Sequence, residues 1–115
     1  MPLSYILGNL LADVPRAEAV VFLDHQGETI ETLSSELQPY DVKVQGAYQV
    51  IHCQQWEKRF PGLDRFYYLG EHYSLFTRLV GGEYYLTVIV RGPAHPSRIM
   101  PRMDRASRDI EEKVL

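Results

Sequence analysis

Residues 17–35, AEAVVFLDHQGETIETLSS, decide the fold of this chain. The first half, Ala17 to Asp24, places apolar side chains at both odd and even positions, which is typical of a strand covered on both faces. Residues 24–27, Asp-His-Gln-Gly, predict a turn whose glycine supplies the positive φ that a short hairpin loop commonly needs. The second half, Glu28 to Ser34, has few apolar residues on either face and is predicted to be an edge strand.

Amphipathic helices are predicted on both sides of this hairpin. In residues 3–14 aliphatic side chains recur at three- and four-residue spacing, and Pro15 follows as a stop signal. A second helix is predicted from about Pro39 to Phe60. Its apolar positions form two stripes, one of Tyr40, Val44, Ala47 and Ile51 and the other of Tyr48, His52, Trp56 and Phe60. A helix with two such stripes is predicted to touch its own sheet and something else.

Three further strands follow in close succession. They are predicted at Asp64 to Leu69, Tyr73 to Val80 and Glu83 to Arg91. The pair Gly81-Gly82 marks a two-residue hairpin between the last two, so the three strands form an antiparallel meander. The last strand is apolar on both faces, which places it near the centre of the sheet beside the first strand.

A final helix follows a connection at residues 93–96. Pro101 is predicted in its first turn or at its start, because deeper inside the helix its ring would clash with the preceding turn. The order of elements is helix, two strands, helix, three strands, helix. This order predicts an α/β (α+β) fold, a three-layer α-β-α sandwich with a five-stranded, mainly antiparallel sheet. With 115 residues, the chain is expected to be a single domain, residues 1–115.

Composition and charge narrow the classes of function. A hydrophobic fraction of 45%, a charged fraction of 23% and a net charge of −3 are ordinary for a globular protein, so disorder and a nucleic-acid partner are disfavoured. The apolar runs are far shorter than the ~20 residues of a membrane span, and no secretory signal pattern is present. The expected compartment is the cytoplasm. The single cysteine, Cys53, fits a reducing environment.

No constellation for catalysis or metal binding is evident in the sequence. An active site needs a nucleophile with its base, or paired carboxylates, in a cleft. His25 in the turn and His95 in a proline-flanked linker have no evident partner. His52 and Cys53 are adjacent on a helix and therefore point in different directions. The chain is expected not to be an enzyme and to hold no metal and no cofactor.

The strand at residues 64–69 differs from an ordinary edge strand. It carries Phe66, Tyr67 and Tyr68 consecutively, where monomeric proteins usually place lysines, prolines or bulges. This favours pairing with another chain, and an ordinary edge covered by a loop is the alternative. Trp56, on the second helix, fits either an interface anchor or a cap of the core.

Arg98, Arg102 and Arg105 are spaced to form a basic stripe on the last helix. The simplest interpretation is a solvated face, because four acidic residues between Asp104 and Glu112 interleave or follow and dilute the field. The alternative is a surface for an acidic protein or for phospholipid.

The whole chain resembles the Roadblock family, whose members include the bacterial gliding-motility regulator MglB and the dynein Roadblock light chains. The resemblance rests on the paired aliphatic positions of the first helix, on AVVFLDHQGETI (residues 19–30) as strand, Asp-x-x-Gly turn and strand, and on the small pair Gly46-Ala47. Residues 48–56 are bulkier and more polar than the alanine- and leucine-rich run usual in the family. The resemblance implies the second helix on one face of the sheet, the terminal helices on the other, and dimerisation through the second helix and third strand.

The resemblance also implies a function. Roadblock proteins mostly act as dimeric platforms for small Ras-like GTPases or as adaptors in motor and signalling assemblies. We therefore expect a non-enzymatic homodimer that binds and regulates a small Ras-like GTPase. The alternatives are a structural adaptor of a motor or signalling scaffold and a small-molecule sensor. The predicted protein interface comprises Val44, Tyr48, His52, Gln55, Trp56, Phe66, Tyr67 and Tyr68.

Overall fold

The computed structural model describes residues 2–115, and within them the predicted order of elements is confirmed. The elements are α1 (Pro2–Asp13), β1 (Ala17–Asp24), β2 (Thr29–Ser34), α2 (Pro39–Arg59), β3 (Arg65–Tyr68), β4 (Tyr73–Val80), β5 (Tyr84–Arg91) and α3 (Pro96–Lys113). The strands form one antiparallel sheet in the order β2-β1-β5-β4-β3. Within residues 2–115, no helix is long and apolar enough to cross a membrane.

The strands that are apolar on both faces occupy the middle of the sheet. β1 pairs with β5 through register pairs such as Phe22↔Leu86, and each of the two strands has an unbroken buried run. The turn after β1 is held by Asp24, whose Oδ1 accepts hydrogen bonds from the backbone N–H groups of Gln26 and Glu28 at 2.9 and 3.0 Å. Gly27 adopts the expected positive φ of 82°. β2 and β3 form the two edges of the sheet.

Two cores lie on opposite faces of this sheet. Side chains such as Phe22 and Val88 pack beneath α1 and α3, and side chains such as Val21 and Leu23 pack beneath α2. At Gly46 an added Cβ would lie only 3.1 Å from Leu23 Cδ2 and 3.2 Å from Val21 Cγ1. Glycine therefore allows α2 to approach β1 this closely. The resulting three layers are those of the predicted sandwich.

Helix α3 begins earlier than the position of Pro101 suggests. His95 is the N-cap, its Nδ1 accepting a hydrogen bond from the Ser97 backbone N–H at 3.2 Å, and Pro96 is the first helical residue. Pro101 consequently lies in the second turn, so its predicted position in the first turn was wrong. Pro96 already takes the position that favours proline at a helix start. Pro101 is exposed and cannot donate to the Ser97 carbonyl.

Candidate protein interface

Helix α2 presents three different sides. Its sheet-facing side consists of Val42, Gly46, Gln49, Val50 and Cys53. Because a helix turns about 100° per residue, the predicted stripe from Tyr40 to Ile51 lies away from the sheet, and the stripe from Tyr48 to Phe60 lies on the flank near β3. The expectation that one of these apolar stripes covers the sheet is wrong. Gly46 allows the close approach to β1, Val42 and Val50 fill the sheet side next to it, and the apolar stripes remain outside.

Large apolar side chains are therefore exposed on the outer sides of α2. They are Tyr40, Tyr48, Ile51, Trp56 and Phe60. Trp56 is 54% exposed and stacks on Phe60 with ring centroids 5.8 Å apart, so it lies outside both cores. Of the other α2 residues predicted for the interface, His52 and Gln55 are exposed and Val44 is partly buried.

Strand β3 has a free edge. It pairs with β4 alone, with Phe66 opposite Thr77. The Leu79 backbone N–H donates to the Asp64 carbonyl at 2.9 Å. Because hydrogen-bonded and non-hydrogen-bonded pairs alternate in an antiparallel ladder, the backbone N–H and C=O groups of Tyr67 point toward the free edge.

The side chains of β3 divide between the two faces of the sheet. Phe66 is buried in the core beneath α2, so its ring anchors β3 to that core and is not exposed. Tyr67 packs beside Phe76, with ring centroids 6.0 Å apart, and is 53% exposed. Tyr68 is 61% exposed. Two of the three predicted aromatic residues of this strand therefore present large apolar surface at the edge.

A groove runs between α2 and β3 and brings predicted residues of both elements together. His52 and Trp56 line it from the helix, and Tyr68 lines it from the strand. Gln49 lies at the floor, is 8% exposed, and takes part in none of the side-chain hydrogen bonds found within residues 2–115. Its amide atoms still reach solvent, since they are not among the fully buried side-chain polar atoms that lack a hydrogen bond within residues 2–115. Gln49 is not among the predicted interface residues, although its position two helical turns after Val42 marks the sheet-facing side of the helix.

Polar groups beneath α2 are arranged to stay neutral or hydrogen-bonded. The Tyr85 hydroxyl donates to the Glu57 carboxylate, with oxygen separations of 3.1 and 3.3 Å. Burial first, and this hydrogen bond second, raise the pKa of Tyr85 above its ordinary value. Burial, followed by the nearby charge of Glu57, raises the pKa of Cys53 to about 12. Cys53 is therefore a protonated thiol at neutral pH. Within residues 2–115, no group of three or more His, Cys, Asp or Glu side chains could hold a metal ion.

A separate cavity of about 520 Å³ lies between the start of α2 and the turn that joins β3 to β4. Val42, Leu75 and Ile89 give it apolar walls, and Tyr68 and Tyr73 stand beside them. Polar groups from the helix and the turn complete its lining. An apolar cavity with a few polar groups is the usual form of a small-molecule site.

Solved structures share this architecture. The gliding protein MglB from Thermus thermophilus matches 96% of this chain and 87% of its own, with a TM-score of 0.83 and 14% sequence identity. A Roadblock/LC7 domain from Streptomyces avermitilis matches 94% of this chain and 93% of its own, with a TM-score of 0.79 and 16% identity. The chain has the Roadblock fold.

A further Roadblock structure, MglB with a tetrameric arrangement, matches 96% of this chain and 85% of its own, with a TM-score of 0.80 and 13% identity. No protein-family model and no curated protein matches the sequence. In this fold α2 lies over β1 and β2, and the groove separates it from the free edge of β3. The terminal helices cover the opposite face of the sheet.

Proposed function

We propose that this chain forms a homodimer through α2 and β3 and that the dimer binds and regulates a small Ras-like GTPase in the cytoplasm. The observation that carries the proposal is the set of exposed aromatic side chains on α2 and on β3, on either side of the groove. Tyr48 and Trp56 of α2 are exposed on one side of it and Tyr68 of β3 on the other, and the exposed ring of Tyr67 lies at the same edge on the other face of the sheet. Exposed aromatic side chains are enriched in protein interfaces, and a strand edge invites pairing with another chain.

A two-fold axis beside β3 would satisfy both of these features. Two antiparallel copies of β3 would exchange hydrogen bonds through the outward backbone groups of Tyr67, and each copy would use the same surface, as a two-fold dimer requires. The second copy would cover the groove between α2 and β3. Its polar groups would then come within reach of the Gln49 amide, which has no hydrogen bond within residues 2–115 of its own chain.

The GTPase part of the proposal is supported by the resemblance to the Roadblock family, whose dimers mostly serve small Ras-like GTPases. One MglB structure with the same fold has a tetrameric arrangement, which supports an assembly of several chains. We propose that the chain acts on the nucleotide cycle of its partner without catalysing a reaction of its own.

Dimerisation is tested by light scattering after size exclusion over a wide concentration range. We expect the wild-type chain to elute with twice the mass of one chain, and Tyr67→Asp to elute as a monomer, because the substitution places a charge on the pairing edge. Tyr5→Asp is the matched control, since Tyr5 is 72% exposed on α1, on the other face of the sheet. A wild-type monomer at every concentration would overturn the dimer.

GTPase regulation is tested by adding candidate small Ras-like GTPases to the purified dimer and measuring binding and GTP hydrolysis. A changed hydrolysis rate supports the regulator. Binding without any change would favour the structural adaptor. A dimer that binds none of them would overturn the GTPase partner and leave the dimer standing.

A small-molecule sensor is the second candidate function, and the cavity at the start of α2 favours it. Native mass spectrometry of the purified chain would show a retained ligand as added mass. Loss of that mass in Asp41→Trp, whose exposed side chain lines the cavity from α2, would place the ligand there. Added mass that this substitution leaves unchanged would contradict the sensor at this position.

A further inference from the structure

Helix α3 carries four arginines spaced along its length. Arg98, Arg102, Arg105 and Arg108 recur at three- and four-residue spacing along the helix. Their positions span about 15 Å at the helical rise of about 1.5 Å per residue. None of the five ion pairs found within residues 2–115 involves them. Their charge is therefore available to a partner.

The acid that interrupts these arginines in the sequence is occupied elsewhere. Asp104 Oδ1 accepts from Arg78 Nη1 at 2.8 Å and lies 3.2 Å from Arg65 Nη2, so this carboxylate faces the strands. By helical geometry Asp104 lies more than a quarter turn from the side that carries Arg98 and Arg105. Asp104 therefore does not dilute the basic stripe as expected, whereas Asp109 does lie beside Arg102 and Arg105.

A fifth arginine extends this charge past the start of the helix. Arg16 connects α1 to β1 with a φ of 61°, and its guanidinium donates to the Pro93 carbonyl at 2.7 Å. Arg16 and Arg98 line one hollow, which Pro15, Ala94 and Ile99 help to form. The positive end of the α3 macrodipole lies at the same place and adds to the field. We call Arg16, Arg98, Arg102 and Arg105 the basic surface.

We propose that the basic surface binds an acidic segment of a partner protein. Guanidinium groups pair with carboxylates through two parallel hydrogen bonds, and several arginines in a row without carboxylate partners match a run of aspartates and glutamates. The hollow between Arg16 and Arg98 offers apolar contact for one side chain of that segment. The chain as a whole carries a net charge of −3, so this surface stands out against its own molecule.

The structure favours a protein segment over an anionic membrane. The apolar side of α3, with Ile99, Met103 and Ile110, is buried in the core, so it is not available for insertion into a bilayer. Of the large apolar side chains exposed within residues 2–115, none lies on α3. Beside Arg102 and Arg105 a membrane would meet the carboxylates of Asp13 and Asp109 and a single exposed ring, that of Tyr5.

The basic surface is independent of the proposed dimer. It lies on the side of α1 and α3, whereas α2 and its groove lie on the opposite face of the sheet. A dimer would carry two copies of it, both free.

Fluorescence anisotropy tests the proposal with a short fluorescein-labelled peptide of aspartate and glutamate around one central leucine. Its counterpart of asparagine and glutamine around the same leucine is the peptide control. We expect the full-length chain to bind the acidic peptide and to bind it less tightly as salt rises. The double variant Arg98→Glu/Arg105→Glu is expected to bind at least about tenfold more weakly.

The matched protein control is Lys58→Glu/Arg59→Glu, which makes the same change in net charge at the exposed end of α2. It is expected to bind the peptide within about twofold of wild type. Circular dichroism checks that both variants fold, and Arg98→Gln/Arg105→Gln should show an intermediate loss.

Three results would overturn the proposal. The first is an equal loss of binding in the α2 control, which would reflect net charge alone. The second is equal binding of the uncharged peptide. The third is binding to vesicles that contain phosphatidylserine with no binding of the acidic peptide, which would assign the surface to a membrane.

Discussion

Gln49 is a buried polar side chain at the margin where a second copy is proposed to bind, and it provides a sharp test of that interface. We expect Gln49→Leu to weaken the dimer by about thirtyfold, because the two-fold dimer loses two hydrogen bonds across the interface of about 1 kcal/mol each. Analytical ultracentrifugation would measure the dissociation constant. Gln45→Leu is the control, since Gln45 is an exposed amide in the same groove. If Gln49→Leu tightens the dimer, the groove is an apolar contact and the amide has no partner there.

Cys53 makes the stability of the fold sensitive to alkaline pH. Its folded pKa of about 12 lies above the ordinary value of 9.0, so the folded chain keeps a proton that the unfolded chain loses as pH rises above about 9. The stability from the protonated thiol is fully present below pH 9 and is lost between pH 9 and 12. Tyr85, whose pKa is also raised, acts in the same direction.

We therefore expect the free energy of unfolding to fall by up to about 1.4 kcal/mol from Cys53 alone between pH 7 and pH 10. Urea unfolding at pH 7 and at pH 10 would measure this. In Cys53→Ala the fall should be smaller, although the variant is less stable at both pH values because it leaves a cavity. Equal pH dependence in both proteins would show that Cys53 titrates normally.

At the scale of elements, strands were placed from the sequence more reliably than helix faces. β1 and β5 could be assigned to the middle of the sheet because apolar side chains on both faces demand cover on both sides. The sheet-facing side of α2 could not be found in this way, because close contact with β1 favours Gly46 and Cys53 there and leaves Tyr48 and Trp56 outside. Hydrophobicity alone points to the wrong side of such a helix.

The interface residues could likewise be predicted only in part from the sequence. The spacing along α2 indicated that His52 and Trp56 share one side, and the structure places Tyr68 in the same groove. The burial of Gln49 depends on how far α2 lies from β3, which is a tertiary distance. The position of Pro101 likewise depended on whether Pro96 or Pro101 begins α3, and local proline preferences do not decide between the two.

Asp104 joins three elements, because its carboxylate pairs with Arg65 of β3 and Arg78 of β4 while its backbone lies in α3. We expect Asp104→Asn to lower the free energy of unfolding by about 1 to 3 kcal/mol, since Arg78 is mostly buried and its Nε already lacks a partner. Asp109→Asn, five residues further along and outside every ion pair of residues 2–115, should change stability by less than about 0.5 kcal/mol. Urea unfolding of both variants would measure the difference in stability. Equal effects would show that the contacts of Asp104 with Arg65 and Arg78 do not stabilise the fold.

At the scale of the whole molecule, the sheet separates two surfaces with different physical chemistry. The margin of α2 and β3 is aromatic, so dimerisation there would be driven by burial of apolar area, which salt does not screen. The basic surface on the other side relies on exposed charges, whose attraction is screened over about 10 Å at 0.1 M salt. Salt should therefore act on one surface and leave the other unchanged.

We expect the dimer dissociation constant to change by less than about twofold between 0.05 and 0.5 M sodium chloride, while binding of the acidic peptide weakens by more than about tenfold. A substitution on one of the two surfaces should likewise leave the function of the other surface unchanged. Tyr67→Asp should abolish the dimer and keep the peptide affinity per chain, because Tyr67 lies at the sheet edge beyond β4, whereas Arg16 and Arg98 lie where α1 ends and α3 begins. Arg98→Glu/Arg105→Glu should lose the peptide and remain a dimer. Loss of peptide binding in the Tyr67→Asp monomer would mean that the two surfaces are coupled, because the acidic segment then needs arginines from both copies at once.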